Sequence, residues 1–236
     1  MKVREVYKIL DSISPFSLQE EWDNSGLNIG DFEADVENIY VALDIDDSVI
    51  DKVKENSLII THHPLIFKGL KKVTPTNFAG KYVIELIKKN VSLIAMHTNF
   101  DKTHLNRYFA ENVLGLKGVS EDFIYYVDID MTFDELVAYV KDKMKMEYIK
   151  VVKANDKIKR VAITTGAGMS LLNYINADCF LTGDIKYHEA MDAKARNISL
   201  IDIEHYKSER YFVDVFRKVV DLNVDVLEIK DPFKIY

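Results

Sequence analysis

The chain has 236 residues, 48% of them apolar and 29% charged, and a formal net charge of −7. This is the balance of an ordinary globular protein with material for one large domain or two small ones. The acidic charge disfavours a general nucleic-acid surface, and no apolar run approaches the ~18–20 residues that span a bilayer.

Taken in chain order, the N-terminus alternates charge with apolar residues and lacks the continuous core of a signal peptide. Val3 to Leu10 reads as a short amphipathic helix, followed by Ser-Pro-Phe and a polar loop, Glu21-Trp-Asp-Asn-Ser-Gly-Leu-Asn-Ile-Gly30. Asn38 to Leu43 reads as a strand, Asp47 to Asn56 as a helix and Leu58 to Thr61 as a strand. Phe78 to Asn90 places Tyr82, Val83, Leu86 and Ile87 at the spacing of a buried helical stripe. Ser92 to Met96 follows as a strand, and Asn106 to Leu114 as a helix ending at Gly115.

The second half repeats the theme. Phe123 to Val127 reads as a strand, and Thr132-Phe-Asp-Glu135 as a capping box opening a helix to about Met144. Ile149 to Val152 and Arg160 to Thr164 read as strands, Met169 to Ile175 as a helix, Asp178 to Leu181 as a strand and Ile185 to Arg196 as a helix. Leu200 to Ile203 is a strand, Lys207 to Asp221 a single closing helix, and Val224 to Ile229 a last strand. Such alternation implies parallel βαβ units. The softest boundary is Gly115-Leu-Lys-Gly118, giving an α/β protein of two lobes, 1–117 and 118–236, with largely parallel sheets and strand-end loops facing a shared cleft.

Three strands end in metal-ligand chemistry: Ser57-Leu-Ile-Ile-Thr-His62-His63, Ser92-Leu-Ile-Ala-Met-His97-Thr-Asn-Phe-Asp101 and Ser199-Leu-Ile-Asp-Ile-Glu204-His205-Tyr-Lys-Ser-Glu209. Ligands of open α/β sheets bind beyond the carboxyl ends of strands, so this convergence suggests a metal site. Each segment has a bland alternative. His62 and His63 can be hydrogen-bonded strand-end histidines, and Asp101 a helix cap. His205 and Glu209, four residues apart on a helix face, can be a surface pair. Asp184, after the strand Cys179-Phe-Leu, can cap the next helix or support a ligand from behind, and His188 beside it can move protons. Gly166-Ala-Gly168 offers amides to an anion or is a packing turn. Trp22-Asp-Asn-Ser-Gly26 lines a site or packs. The lone Cys179 excludes an internal disulfide and fits a reducing cytoplasm.

The segments Glu21–Gly30, Thr61-His-His-Pro-Leu-Ile-Phe67, His97-Thr-Asn-Phe-Asp101, Thr182-Gly-Asp-Ile-Lys-Tyr-His188 and His205-Tyr-Lys-Ser-Glu209, in this order, resemble the Nif3-like family, also described as GTP cyclohydrolase I type 2 homologues. The resemblance implies two α/β lobes around a dinuclear metal centre in the cleft between them, commonly assembled as a toroidal homohexamer. By position the ligands would be His62, His63, Asp101, His205 and Glu209, with His97 beside the centre. Two positions depart from the pattern. Asp184 and Tyr187-His188 stand where the family often has Glu and two histidines, and Glu204 stands where it usually has Gly.

A set of three histidines and two carboxylates suits two divalent ions, whether zinc, iron or manganese. The expected activity is metal-assisted hydrolysis of a small nucleotide-like substrate, with ring-opening of a purine as its specific form. His97 or His188 would move protons, and the glycine-turn amides would hold phosphate. The alternative is a non-catalytic metal-binding regulatory or interaction protein.

Overall fold

Short, nearly all-aliphatic segments flanked by polar turns build both sheets of this protein. The computed structural model describes residues 1–234. They divide into Met1–Phe100 with the segment from Phe212 onward, and Asp101–Tyr211.

The first unit holds β1 (Gly26–Ile29), β2 (Asn38–Ala42), β3 (Ser57–Thr61), β4 (Ser92–Ala95) and a closing strand, Asp225–Val226. Their spatial order is β1-β4-β3-β2 followed by the closing strand. All neighbours are parallel except β1, which lies antiparallel on β4 with Gly26 opposite Ala95. Every residue of β3 and β4 is buried, as central parallel strands covered on both faces require. On one face Tyr40, Ala42, Ile59 and Leu93 pack with Val49 and Ile50 of the helix Asp47–Lys52 and with Tyr82, Val83 and Leu86 of the helix Phe78–Lys88. Each large aliphatic side chain buried this way contributes about 1.5–3 kcal/mol of transfer free energy. Asp46 and Asn77 cap these helices by accepting the N–H groups of Val49 and Gly80.

The second unit holds β5 (Val119–Glu121), β6 (Ile124–Thr132), β7 (Lys150–Val152), β8 (Lys157–Ile163), β9 (Cys179–Thr182) and β10 (Ser199–Asp202), in the order β5-β6-β8-β9-β10-β7. Only β8, β9 and β10 run parallel to one another, and the outer strands pair antiparallel. Side chains alternate between two cores: Tyr125, Val127, Val161, Ile163, Cys179, Leu181 and Ile201 on one face, and Ile124, Tyr126, Ala162, Phe180 and Leu200 on the other. The helix Phe133–Lys143 opens on the expected capping box, Thr132 with Glu135.

The α/β class and the two sheets agree with the expectation, and several details differ. The units exchange at Phe100 and Tyr211, away from the boundary at 117, because Asp225–Val226 pairs with β2 and Phe212 packs on Phe100. The expected single helix from Lys207 is two, His205–Glu209 and Phe212–Val219, interrupted where the chain passes from one unit to the other. The closing strand is limited to Asp225–Val226. Residues 168–174 form a 3-10 helix, and Asp101–Leu105 and Phe109–Leu114 take π-helical turns. Two strands were not expected. β1 lies inside the polar loop, and β5 is an exposed edge with no apolar pattern to read. No helix among the described residues is long and apolar enough to cross a membrane.

Candidate metal centre

In the first unit the ends of β3 and β4 deliver three imidazoles to one place. Successive strand side chains normally point to opposite faces, but β3 stops at Thr61. The N–H groups of His62 and His63 both donate to the carbonyl of Leu43, each at 3.2 Å, and the Thr61 hydroxyl donates to the carbonyl of His63 at 2.8 Å. This turn keeps the two rings together, with centroids 4.9 Å apart. His97 follows β4, and its ring lies 5.2 Å from that of His62 and 5.5 Å from that of His63. His62, His63 and His97 each offer a ligand atom within 4.8 Å of the others.

The second nitrogen of each ring decides what the first can do. His62 Nδ1 lies 2.9 Å from the carbonyl oxygen of Met96, which only accepts, so Nδ1 carries the proton and Nε2 the lone pair of the neutral ring. His63 Nδ1 faces Asp44 Oδ1 at 2.8 Å, and His97 Nδ1 faces Asp23 Oδ1 at 2.8 Å. Metal-binding histidines are oriented in this way, the ring N–H held by a carbonyl or carboxylate and the other nitrogen left to ligate.

Asp23 is the most heavily bonded carboxylate of the unit. Its side chain is fully buried and also accepts from Asn24 N–H, Thr98 N–H and the hydroxyls of Thr98 and Ser25. Burial alone would raise its pKa, but the bonds from His97, Thr98 and Ser25, with the charge on His97, hold it well below the usual carboxylate range. The loop reaches this position because β1 pairs with β4, and the backbone N–H of His97 donates to Ser25 Oγ at 3.1 Å.

In the second unit, His205 and Glu209 occupy one helical turn, His205–Glu209. His205 Nδ1 lies 2.7 Å from Asp184 Oδ2, and His205 Nε2 lies 2.8 Å from Glu209 Oε2. With Nδ1–H directed at Asp184, a neutral ring would set its Nε2 lone pair against a carboxylate, an arrangement that a proton or a cation between them stabilises. Glu209 is buried, and a Cβ on Gly166 would collide with its carboxylate. Gly166, at φ +63°, therefore meets both a left-handed backbone and a close approach. Asp184 and Glu204 also hold positive φ, 56° at each, on either side of this tight packing. Asp101 is buried at the first residue of its π-helical turn, a feature common at functional sites.

Several alternatives left open by the sequence are resolved. Asp184 supports His205 from behind, and Lys186 takes the N-cap position of the following helix. The Glu204 carboxylate is engaged by Lys207 Nζ at 2.9 Å. The amides of Gly166 and Gly168 donate to Ser208 Oγ and Thr182 Oγ1, so this is a packing turn and not the expected phosphate cradle. His188 is exposed against Tyr187 on the helix Tyr187–Ala195 and belongs to none of the metal-capable clusters among the described residues. Cys179 is buried, and burial pushes its thiol pKa far up, so it is inert. The sequence did not single out Asp44, and it offered Asp23 only as part of a loop that lines a site or packs.

A profile of the Duf34/NIF3 family, described as NGG1p interacting factor 3, matches residues 1–232. The chain belongs to the Duf34/NIF3 family. Among its Duf34/NIF3 relatives, a Campylobacter jejuni protein called GTP cyclohydrolase 1 type 2 homolog is 46% identical over the whole of both chains. A Helicobacter pylori protein called GTP cyclohydrolase 1 type 2 is 41% identical over 99% of this chain and 98% of its own. The crystal structure of Staphylococcus aureus protein SA1388 superimposes with a TM-score of 0.82 at 28% identity, covering 100% of this chain and 99% of that one. A Bacillus cereus protein related to NIF3 shares the fold at a TM-score of 0.83 and 19% identity, with 100% and 99% coverage.

The donor set fits a divalent metal. In the first unit His62, His63 and His97 each have Nδ1 on an oxygen acceptor and a ligand atom within 4.8 Å of the others, so this cluster could hold an ion. Imidazole donors without a thiolate suit borderline ions such as zinc, iron or manganese.

Proposed function

We propose that this Duf34/NIF3 protein is a metal-dependent hydrolase acting on a small nucleotide-like substrate, with His62, His63, Asp101, His205 and Glu209 as ligands to a pair of divalent ions. The observation that carries the proposal is the uniform orientation of the imidazoles, each with its Nδ1 side occupied by Met96, Asp44, Asp23 or Asp184. The names of the Campylobacter and Helicobacter relatives support purine ring-opening of the GTP cyclohydrolase type. When bound, the ions supply Lewis acidity and lower the pKa of water towards neutrality.

The protein's own residues do the rest. Glu209 is held rigid by Gly166 and by Ser208, whose hydroxyl accepts from the Gly166 N–H. His97 is the proton carrier: its Nε2 takes a proton while the buried Asp23 carboxylate beside Nδ1 stabilises the imidazolium that forms. We place the protein in the cytoplasm and expect a homohexamer. The second reading, a metal-loaded regulatory protein without turnover, draws on the interaction partner in the family's description.

The test is Glu209→Gln, purified beside the unaltered protein, with metal content by elemental analysis and product release from GTP and other nucleotides by chromatography. The proposal expects loss of bound metal and of turnover together. A variant that keeps both metals and the full rate would refute the ligand assignment, and metal-loaded unaltered protein that turns over no nucleotide would favour the regulatory reading.

A further inference from the structure

Trp22 and Phe67 are large aromatic side chains that the fold leaves open, 55% and 41% exposed, while Phe100, Phe109, Phe180 and Phe212 are fully buried. Their centroids are 5.7 Å apart and their planes inclined by 51°. Both rings stand nearly edge-on to His97, Trp22 at 6.2 Å and 77°, Phe67 at 6.1 Å and 75°. The two loops that carry them are fastened together, because Asn24 Nδ2 donates to the carbonyl of Ile66 at 2.6 Å. Asp23, next to Trp22, is the residue that holds His97. The rings are thus fixed relative to His97 by hydrogen bonds to their own loops, without being packed into a core.

The chemistry beside the pair narrows its ligand. Phe67 is followed by Lys68, Lys71 and Lys72, all exposed, on a chain whose net charge is −7. These three lysines enter no ion pair among the described residues. An exposed aromatic pair followed in the chain by unpaired ammonium groups suits a planar heteroaromatic base joined to phosphates. A hydrophobic peptide would use the rings and leave the lysines idle. Inorganic phosphate would do the reverse.

We propose that Trp22 and Phe67 form a stacking platform for the base of a nucleoside polyphosphate, with Lys68, Lys71 and Lys72 receiving its phosphates. This rests on the hydrolase reading only for the reaction that follows. Binding itself is a separate claim.

Trp22 is the chain's single tryptophan, so its emission reports on the platform alone. Full-length protein is titrated with GTP, guanosine and inorganic triphosphate. GTP is expected to quench the emission saturably, guanosine to do so at roughly tenfold or higher concentration, and inorganic triphosphate to compete with GTP without quenching. By calorimetry, Phe67→Ala lowers GTP affinity by roughly tenfold. The triple variant Lys68→Ala/Lys71→Ala/Lys72→Ala lowers it as well and flattens its salt dependence, while guanosine binding is unchanged. All four side chains are exposed, so melting temperatures report whether folding is intact. Saturating GTP without quenching, or unaltered GTP affinity in both folded variants, overturns the proposal. Quenching and binding without turnover uphold the platform and sink the hydrolase reading. Turnover with an unchanged KM in both variants does the opposite.

Discussion

Exchanging aspartate for asparagine at positions 23 and 44 is the same chemical change beside two similar imidazoles, and the structure demands different outcomes. Asp23 Oδ1 accepts from Asn24 N–H at 2.7 Å and from His97 Nδ1 at 2.8 Å. Its Oδ2 accepts from Thr98 N–H at 3.1 Å, Thr98 Oγ1 at 2.6 Å and Ser25 Oγ at 2.8 Å. Hydroxyls can rotate to accept from an amide NH2, but a backbone N–H cannot. Whichever way the Asp23→Asn amide turns, its NH2 therefore confronts at least one backbone donor in a fully buried position. One unsatisfied buried donor costs about 1–3 kcal/mol, and the lost charge strengthening of the remaining bonds brings the total to about 2–4 kcal/mol. Asp44 is 40% exposed, and Asp44→Asn keeps an oxygen on His63 while turning its NH2 to water. That variant should cost less than about 1 kcal/mol. Urea unfolding at neutral pH, with equal m-values checked, measures both. Asp23→Asn within about 0.5 kcal/mol of the parent, or equal losses at the two sites, would refute the bonding pattern from which the imidazole orientations are inferred.

The same carboxylate sets a pH dependence. The folded pKa of Asp23 lies below its ordinary 3.8, so its contribution is complete above about pH 4 and disappears as pH falls further; Asp23→Asn should flatten the acid limb of the stability curve. Gly166→Ala combines a left-handed backbone with a collision against Glu209, and should cost more than about 2 kcal/mol with loss of bound metal. Gly115→Ala shares the positive φ but meets only Tyr139 Oη at 3.5 Å, and should cost about 1–2 kcal/mol with full metal content by elemental analysis. Glu204 holds φ 56° and ψ 142°, so Glu204→Gly, which relieves the backbone, should melt above Glu204→Ala, which loses the Lys207 pair and keeps the strain. Equal melting temperatures would show that no strain is stored there.

Which residues can ligate was legible in the chain itself. A histidine at the end of an aliphatic run announces both its chemistry and its place near a strand terminus: His62, His63 and His97 follow β3 and β4, and His205 opens the helix after β10 that ends at Glu209. The central strands were equally plain, because burial on both faces leaves an uninterrupted apolar signature. The supporting residues were not legible. Asp23 reaches His97 across 74 positions only because β1 lies antiparallel on β4, and Asp44 reaches His63 through the turn on Leu43. Nothing in a short Gly-Leu-Asn-Ile segment specifies its partner strand. The unit boundary failed for a related reason. Turn residues mark where the chain can part, but the return of Phe212 and Asp225–Val226 to the first unit depends on long-range pairing. Local composition thus determines which groups a strand can present, since side-chain chemistry travels with the residue. Which nitrogen each imidazole keeps for a metal is decided by whatever oxygen the distant chain brings against the other, and only the folded structure supplies that oxygen.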